Sequence, residues 1–294
     1  MGDTRVSSSM ICWNEANTID LAIKSVKDLV HEVVIFDTGS FDDTVKIAQE
    51  TLDALNLSGQ VKKIKITKLS DARLQSIDAC DGHWVLIQDS NLVLSNALKK
   101  EIHGHIKTQP DAVGGIKSIN LMGDYEHTFS NRTYMAHHRI LINKDMKISG
   151  VNIDRPFFSG RRHELSQHAV NLSRVRPSWR CWLRGEQFDR SVYKEEARRR
   201  GDGHQNKFNT QHLWQKEDKY NSLLEYVNAV KNMTLDDVKQ VAPTWFLSQL
   251  QLEATPLTQR QRDALPETIQ TEIKNPRYKL IYHDGEIVGR TPTL

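Results

Sequence analysis

Apolar runs and helical stripes alternate along the first hundred residues. Residues 5–13 read as a strand, and behind it Ile19, Ala22, Ile23, Val26, Leu29 and Val30 recur at helical spacing. Residues 33–36, VVIF, form a short continuous run of β-branched and aromatic side chains, the pattern of a strand buried on both faces of a parallel sheet. The pattern then predicts a helix from Thr44 to about Leu55, a strand over residues 61–66, a helix with Ser70 as N-cap, and a buried strand over residues 84–87. Units of roughly 30 residues in this alternation predict a mostly parallel sheet with right-handed crossovers.

From Asp111 the pattern changes. Strand-like pieces at 113–122 and 138–142, separated by a polar, aromatic loop, predict an antiparallel extension of the same sheet. Residues 150–184 are rich in Arg, Pro, Trp and His with weak periodicity, which reads as a loop-rich stretch close to a site. The charged, glycine-broken segment 191–207 reads as a linker. Two helices are expected between 208 and about 254, with Pro256 and Pro266 punctuating a further short helix, and His283-Asp284-Gly285 lies between two apolar runs as a hairpin signal. The expected organisation is a domain over 1–190, the linker, and a helical C-terminal region with a terminal hairpin over 208–294.

Composition narrows the function classes. The chain has 294 residues, enough for one large α/β domain with an appendage, and its formal net charge of +3 names no anionic partner, so any basic patch must be local. Cys12, Cys80 and Cys181 lie far apart without a C-x-x-C pair, against a zinc knuckle or disulfide framework and in keeping with a reducing cytoplasm. No apolar N-terminal h-region and no membrane-length apolar run is found, so a soluble, cytoplasmic protein without membrane insertion is expected.

The chemistry gathers at strand ends. Asp37-Thr38-Gly39-Ser40 breaks the strand at its carboxyl end, with Gly39 permitting the turn and Asp42 or Asp43 available to cap the next helix. Asp89-Ser90-Asn91 ends a second strand in the same way. Ligands of open α/β sheets bind at that edge, so Asp37 and Asp89 are expected to face one crevice.

Asn14-Glu15, DTGSFDDT over residues 37–44, Ala72-Arg73 and WVLIQDSN over residues 84–91 together resemble the family 2 glycosyltransferases of the GT-A (Rossmann-like) fold. The resemblance covers about the first 95 residues. It implies an enzyme of the glycosyltransferase class that moves a sugar from a nucleotide-diphosphate sugar, UDP-sugar being favoured, to a hydroxyl acceptor, usually with inversion. By the same likeness Asn14, Glu15, Asp37, Gly39, Ser40, Arg73, Asp89 and Ser90 would form the nucleotide-sugar site, and Asp89 and Asn91 would hold Mn2+ or Mg2+. Asn91 stands where the family pattern has a second acid. An amide oxygen coordinates hard cations without a carboxylate's charge, so metal binding is expected to be weak or dispensable.

Inversion requires a general base. Glu164 in GRRHEL is the candidate, with His163 to orient it, Asp154 and Asp124 in reserve, and pairing of Glu164 with neighbouring Arg161 and Arg162 as the competing structural reading. Arg180, Trp182 and Arg184, in a segment where cations interleave with indoles, are candidates for the diphosphate or the acceptor. That acceptor is a carbohydrate, a peptide or a modified DNA base. The alternatives to an active transferase are a DNA glycosyltransferase acting on a hydroxymethylated base and a catalytically silent nucleotide-sugar or nucleic-acid binder.

Overall fold

The computed structural model describes residues 4–13, 15–40, 42–65, 69–121, 125–129, 139–146, 148–152, 155–158, 161–172, 254–276, 278–283 and 286–292. Its elements in chain order are β1 (Val6–Cys12), α1 (Ile19–Val26), β2 (Glu32–Asp37), α2 (Thr44–Ala54), β3 (Ser58–Lys63), α3 (Leu69–Asp78), β4 (Trp84–Asp89), β5 (Leu92–Leu94), α4 (Asn96–Thr108), β6 (Ala112–Asn120), β7 (His127–Phe129), β8 (Arg139–Asn143), β9 (Ile148–Asn152), β10 (Arg155–Phe158), β11 (Arg161–Asn171), β12 (Ala254–Pro256), α5 (Gln259–Asp263), α6 (Glu267–Lys274), β13 (Tyr278–His283) and β14 (Glu286–Pro292). The expected helices between 208 and 254 and the linker lie outside the described residues.

Eight strands form one mixed sheet in the order β3-β2-β1-β4-β8-β6-β11-β5. β3, β2, β1 and β4 run parallel, while β8 is antiparallel to both β4 and β6, the extension expected from the change of pattern after Asp111. The chain lays β2 and β3 on one side of β1 and returns to place β4 on the other, so the order reverses at β1. That reversal opens a crevice at the carboxyl ends of β1 and β4.

Alternation along the strands builds two cores. Met10, Ile35, Leu86 and Leu141 pack with Ile19, Ile23 and Val26 of α1 and with Leu98, Ile102 and Ile106 of α4. Val34, Phe36, Val85, Ile87, Val113 and Ile142 pack on the other face with Ile77 of α3. α3 is further joined to β1 by a buried hydroxyl pair, Ser9 with Ser76 at 2.7 Å. α4 begins under a working cap, the Ser95 hydroxyl accepting from the Leu98 amide at 3.1 Å.

The stretch after Gly150 differs from the expectation of loops. Residues 148–171 hold β9 and β10, an antiparallel pair, and the eleven-residue β11, which runs parallel to β6. A register shift between Glu164 and His168 breaks the alternation of β11, and this irregularity hides the strand from a period-2 reading.

The chain divides into two compact units. The first draws on residues 1–121, 131–173 and 257–275, and contains the eight-stranded sheet and the helices α5 and α6. The second draws on 122–130, 174–256 and 276–294, with β7 paired to β12 and the hairpin β13–β14 at the expected position. Among the described residues no helix is long and apolar enough to cross a membrane.

Candidate functional site

β1 is flanked in register by the two acidic strand ends. Cys12 pairs with Asp37 on one side and Ile11 with Asp89 on the other, so the aspartates sit two strand spacings apart, on the order of 10 Å between backbones. The pleat sends them to opposite faces: Asp37 shares the face of Cys12, whose thiol approaches its Oδ1 at 3.7 Å, and Asp89 shares the face of α3. Both stand at the carboxyl edge of the sheet, where the strands stop.

Three loops are tied together at that edge. The Thr38 amide and hydroxyl both donate to the Cys12 carbonyl at 3.0 Å, and the Trp13 indole donates to the Gly39 carbonyl at 3.1 Å. The Glu15 amide donates to the Thr44 hydroxyl at 2.7 Å and the Ala16 amide to Asp42 at 3.2 Å, while Asp42, the residue before the N-cap Asp43, also accepts from the Thr44 amide at 3.0 Å. On the other side the Ser90 hydroxyl donates to the Ile11 carbonyl at 3.4 Å, and the Asn91 amide nitrogen donates to Glu15 Oε1 at 3.1 Å. The far end of β11 arrives here too, the Leu172 amide donating to the Asn91 carbonyl at 2.8 Å.

Asp37 itself is fully buried, with its carboxylate held by the amides of Gly39 and Ser40 at 3.1–3.3 Å. Gly39 takes φ +117°, which an L side chain resists, and so closes this turn over the acid. Burial, followed by the charges of Asp37 and Glu15, drives the Cys12 thiol well above its ordinary range, so Cys12 is a packed neutral thiol.

Asp89 is braced from behind. Arg73 is 1 % exposed, and its guanidinium donates to Asp89 Oδ1 at 3.3 Å and to the Ser9 carbonyl at 3.2 Å. An exposed, solvated Arg73 is thereby ruled out, and the side chain meets Asp89. Asp89 keeps 22 % of its side chain exposed. Asn91 is 6 % exposed, and its Oδ1 is buried with no hydrogen-bond partner. An orphaned acceptor two residues along the chain from a partly open carboxylate offers oxygens of the kind that suit a hard divalent cation or a ligand hydrogen-bond donor.

The expected catalytic pair separates. Adjacent strand residues point to opposite faces, so His163 cannot orient Glu164. His163 instead stacks on His105, ring centroids 5.2 Å apart with Nδ1 atoms at 2.9 Å. Glu164 pairs with Arg162 Nε at 2.5 Å, the competing reading of this residue, and shares the sheet face of Asp89 through the register Ile87, Ile140, Gly115, Glu164. Three strand spacings separate β4 from β11 at that level, on the order of 14 Å. Asn14, Asp154, Asp124, Arg180, Trp182 and Arg184 lie outside the described residues.

Among the described residues, His31, Glu32 and Asp81 form a group of ligand-type side chains close enough to share an ion, at the opposite edge of the sheet. Their atoms are engaged internally: His31 Nδ1 donates to the Val6 carbonyl at 2.7 Å, Glu32 Oε1 accepts from the Ser7 hydroxyl and the Asp81 amide at 2.6 Å each, and Asp81 pairs with His31 and Arg5.

Cys12, Asp42 and Thr44 take part in this edge without having been singled out as site residues. Asp42 and Thr44 belong to the DTGSFDDT run, whereas Cys12 comes beside Asp37 only through strand register.

Comparison with known proteins supplies a family. A family model described as glycosyl transferase family 2 matches residues 7–168, more than half of the chain. Among curated proteins, the chain is 34 % identical over 109 residues to a TPR repeat-containing protein of Synechococcus elongatus, covering 37 % of this chain and 26 % of that one. It is 32 % identical over 98 residues to an uncharacterized glycosyltransferase of Rickettsia felis, covering 33 % of this chain and 32 % of that one. The chain thus spans about a third or less of the length of these relatives. Among solved structures it is similar to S. aureus TarS in complex with UDP (17 % identity, TM-score 0.39, covering 48 % of this chain and 47 % of that one). It is also similar to glucosyl-3-phosphoglycerate synthase from Mycobacterium tuberculosis in complex with Mn2+ and UDP-glucose (23 % identity, TM-score 0.32, 40 % and 44 %).

Proposed function

From glycosyl transferase family 2, to which this chain belongs, we propose that the protein transfers a sugar from a nucleoside-diphosphate sugar, a UDP-sugar, to a hydroxyl acceptor with inversion. The observation that carries this reading is the convergence of three loops on Asp89-Ser90-Asn91, leaving one partly open carboxylate and one unpartnered buried oxygen side by side in the chain.

Asp89 and Asn91 would hold Mn2+ or Mg2+, which when bound supplies positive charge to the leaving diphosphate. Arg73 keeps Asp89 in place from the protein side. Glu15, Asp37, Gly39, Ser40 and Ser90 shape the nucleoside end. Since Asp37 is closed from solvent by the amides of its own turn, it acts by fixing the backbone that meets the nucleoside unless that turn exchanges an amide for a ligand donor.

Glu164 is the base in this reading, positioned by Arg162 in place of His163. A donor sugar and an acceptor hydroxyl have to fit between the diphosphate site and the base, so a separation on the order of 14 Å between backbones, reduced by the reach of two side chains, suits the task. Both carboxylates also lie on one face of the sheet.

Thermal melts of the full chain against a panel of nucleotide sugars, with and without Mn2+, test the proposal. Stabilisation by one nucleotide class, lost in Asp89→Ala, is the expected result, since a ligand that binds only the folded state raises the melting point by mass action. A panel without any shift, with a wild-type chain that hydrolyses no donor, would sink it.

A further inference from the structure

We propose that Glu15 is a positioning residue that locks the amide of Asn91 in one orientation, leaving the oxygen, and not the nitrogen, to accept from a ligand. This rests on the donor-site reading above and explains how the site works with an amide at position 91.

An asparagine amide presents a donor at one end and an acceptor at the other, and which end faces a ligand depends on what grips the opposite end. Here the grip is a carboxylate, at 3.1 Å from Nδ2. Carboxylates only accept, so flipping the amide would break this bond and set oxygen against oxygen.

Glu15 is in turn held on several sides. Its Oε2 accepts from the Thr18 hydroxyl at 2.7 Å, its amide donates to Thr44 Oγ1 at 2.7 Å, and its carbonyl accepts from the amides of Thr18 and Ile19 at 3.0 and 2.9 Å. The backbone of Asn91 is pinned by Leu172 at 2.8 Å. With both partners fixed, the amide has one orientation, and its oxygen is left buried without a donor. Such a group is uncommon in a folded chain, and one explanation for it is an ion or ligand that belongs there.

The pairing also reverses an expectation about charge. A carboxylate at position 91 would add charge for a cation, which by itself strengthens binding. In this chain it would also place an oxygen against Glu15 Oε1, and two carboxylates at hydrogen-bond distance repel strongly enough to shift protonation by a pK unit or more. The acid is therefore disfavoured at 91 as long as Glu15 stands opposite. Replacing both residues should make the acid acceptable, because the amide of a glutamine at 15 can donate to it.

The test is a double-mutant cycle on the full chain with Asn91→Asp, Glu15→Gln and the pair, read in two ways. Without ligand, thermal melts should show N91D destabilised in the native background and much less so in the E15Q background. With Mn2+ and a panel of UDP, GDP, dTDP and ADP followed by calorimetry, N91D alone should bind at least about tenfold more weakly than the double variant. Glu15→Ala should lose more affinity than Glu15→Gln, since only the latter retains an oxygen that can accept from Asn91. Additive melts, or an N91D chain that binds Mn2+ and nucleotide more tightly than wild type, would overturn the inference while leaving the donor-site reading intact. A wild-type chain that binds no nucleotide of the panel with Mn2+ would overturn both.

Discussion

Replacing Arg73 by methionine removes a buried charge while keeping a long unbranched stem. The guanidinium is 1 % exposed and donates to Asp89 Oδ1, to the Ser9 carbonyl and, at 3.5 Å, to the Gln88 carbonyl, so it joins α3 to the ends of β1 and β4. Removing one partner of a fully buried ion pair costs about 3–5 kcal/mol. Asp89 is 22 % exposed, so water recovers part of this, and a cost of roughly 2–3 kcal/mol is expected. For a chain of this size that corresponds to a fall in Tm of roughly 3–5 °C. A second measurement separates stability from the site: with Asp89 released, affinity for Mn2+ and nucleotide should fall by roughly 10–100-fold, the range for residues that hold a metal ligand in place. Arg73→Lys should recover part of the Tm but little of the affinity, because one ammonium cannot reproduce a forked donor reaching several acceptors. An R73M chain that melts within about 1 °C of wild type and binds nucleotide equally well would refute the reasoning.

Other perturbations address different parts of the molecule. Glu164→Gln should leave nucleotide binding intact and lower kcat by roughly 10²–10⁴, as expected for loss of a general base; transfer at the wild-type rate would remove Glu164 from the chemistry. Gly82→Ala would place a Cβ 2.9 Å from the Ser7 amide nitrogen and 2.6 Å from its hydroxyl, which is held by Glu32 and cannot swing aside. Denaturant unfolding should show a loss of about 1–3 kcal/mol, with nucleotide affinity unaffected because this is the other edge of the sheet. Burial depresses the proton affinity of His105, and the neighbouring His163 adds to the effect. The unfolded state therefore binds more protons than the folded one just below the ordinary histidine value of 6.5, and stability present above that pH should decline as acid is added. His105→Asn should flatten this acid limb in unfolding curves recorded between about pH 7 and pH 5, and an unchanged slope would contradict the assignment.

Strands β2 and β4 of the parallel half were legible because they are buried on both faces, so 33–36 and 84–87 appear as uninterrupted apolar runs ending in an aspartate turn. α4 is equally readable in principle, since Leu98, Ile102 and Ile106 recur at helical spacing. β11 was not readable as a strand. It opens with two arginines, and its register shift after Glu164 moves the buried positions out of step, so the stretch looks like a loop. The separation of His163 from Glu164 follows from the same error, because two neighbours share a site in a loop and face apart in a strand. The burial of Arg73 also had no local signal. One charged residue in a helix reads as solvated until the strand ends beside it are placed.

Two acidic clusters occur at opposite edges of one sheet, and their hydrogen bonds distinguish them. Glu32 and Asp81 are supplied with donors by Ser7, His31, Arg5 and a backbone amide, so that edge is internally satisfied and works as a staple between β1, β2 and the start of β4. At the carboxyl edge, Glu15, Asp37 and Asp42 are likewise engaged by the loops they organise, and the pattern changes at Asp89 and Asn91: a carboxylate that still meets solvent, and an oxygen with nothing donating to it. The large majority of buried polar groups in a folded chain are paired. Proximity of acids alone points to the edge of Glu32 and Asp81, whereas the unmet acceptor lies at the edge where the strand order reverses, the side on which open α/β sheets bind ligands.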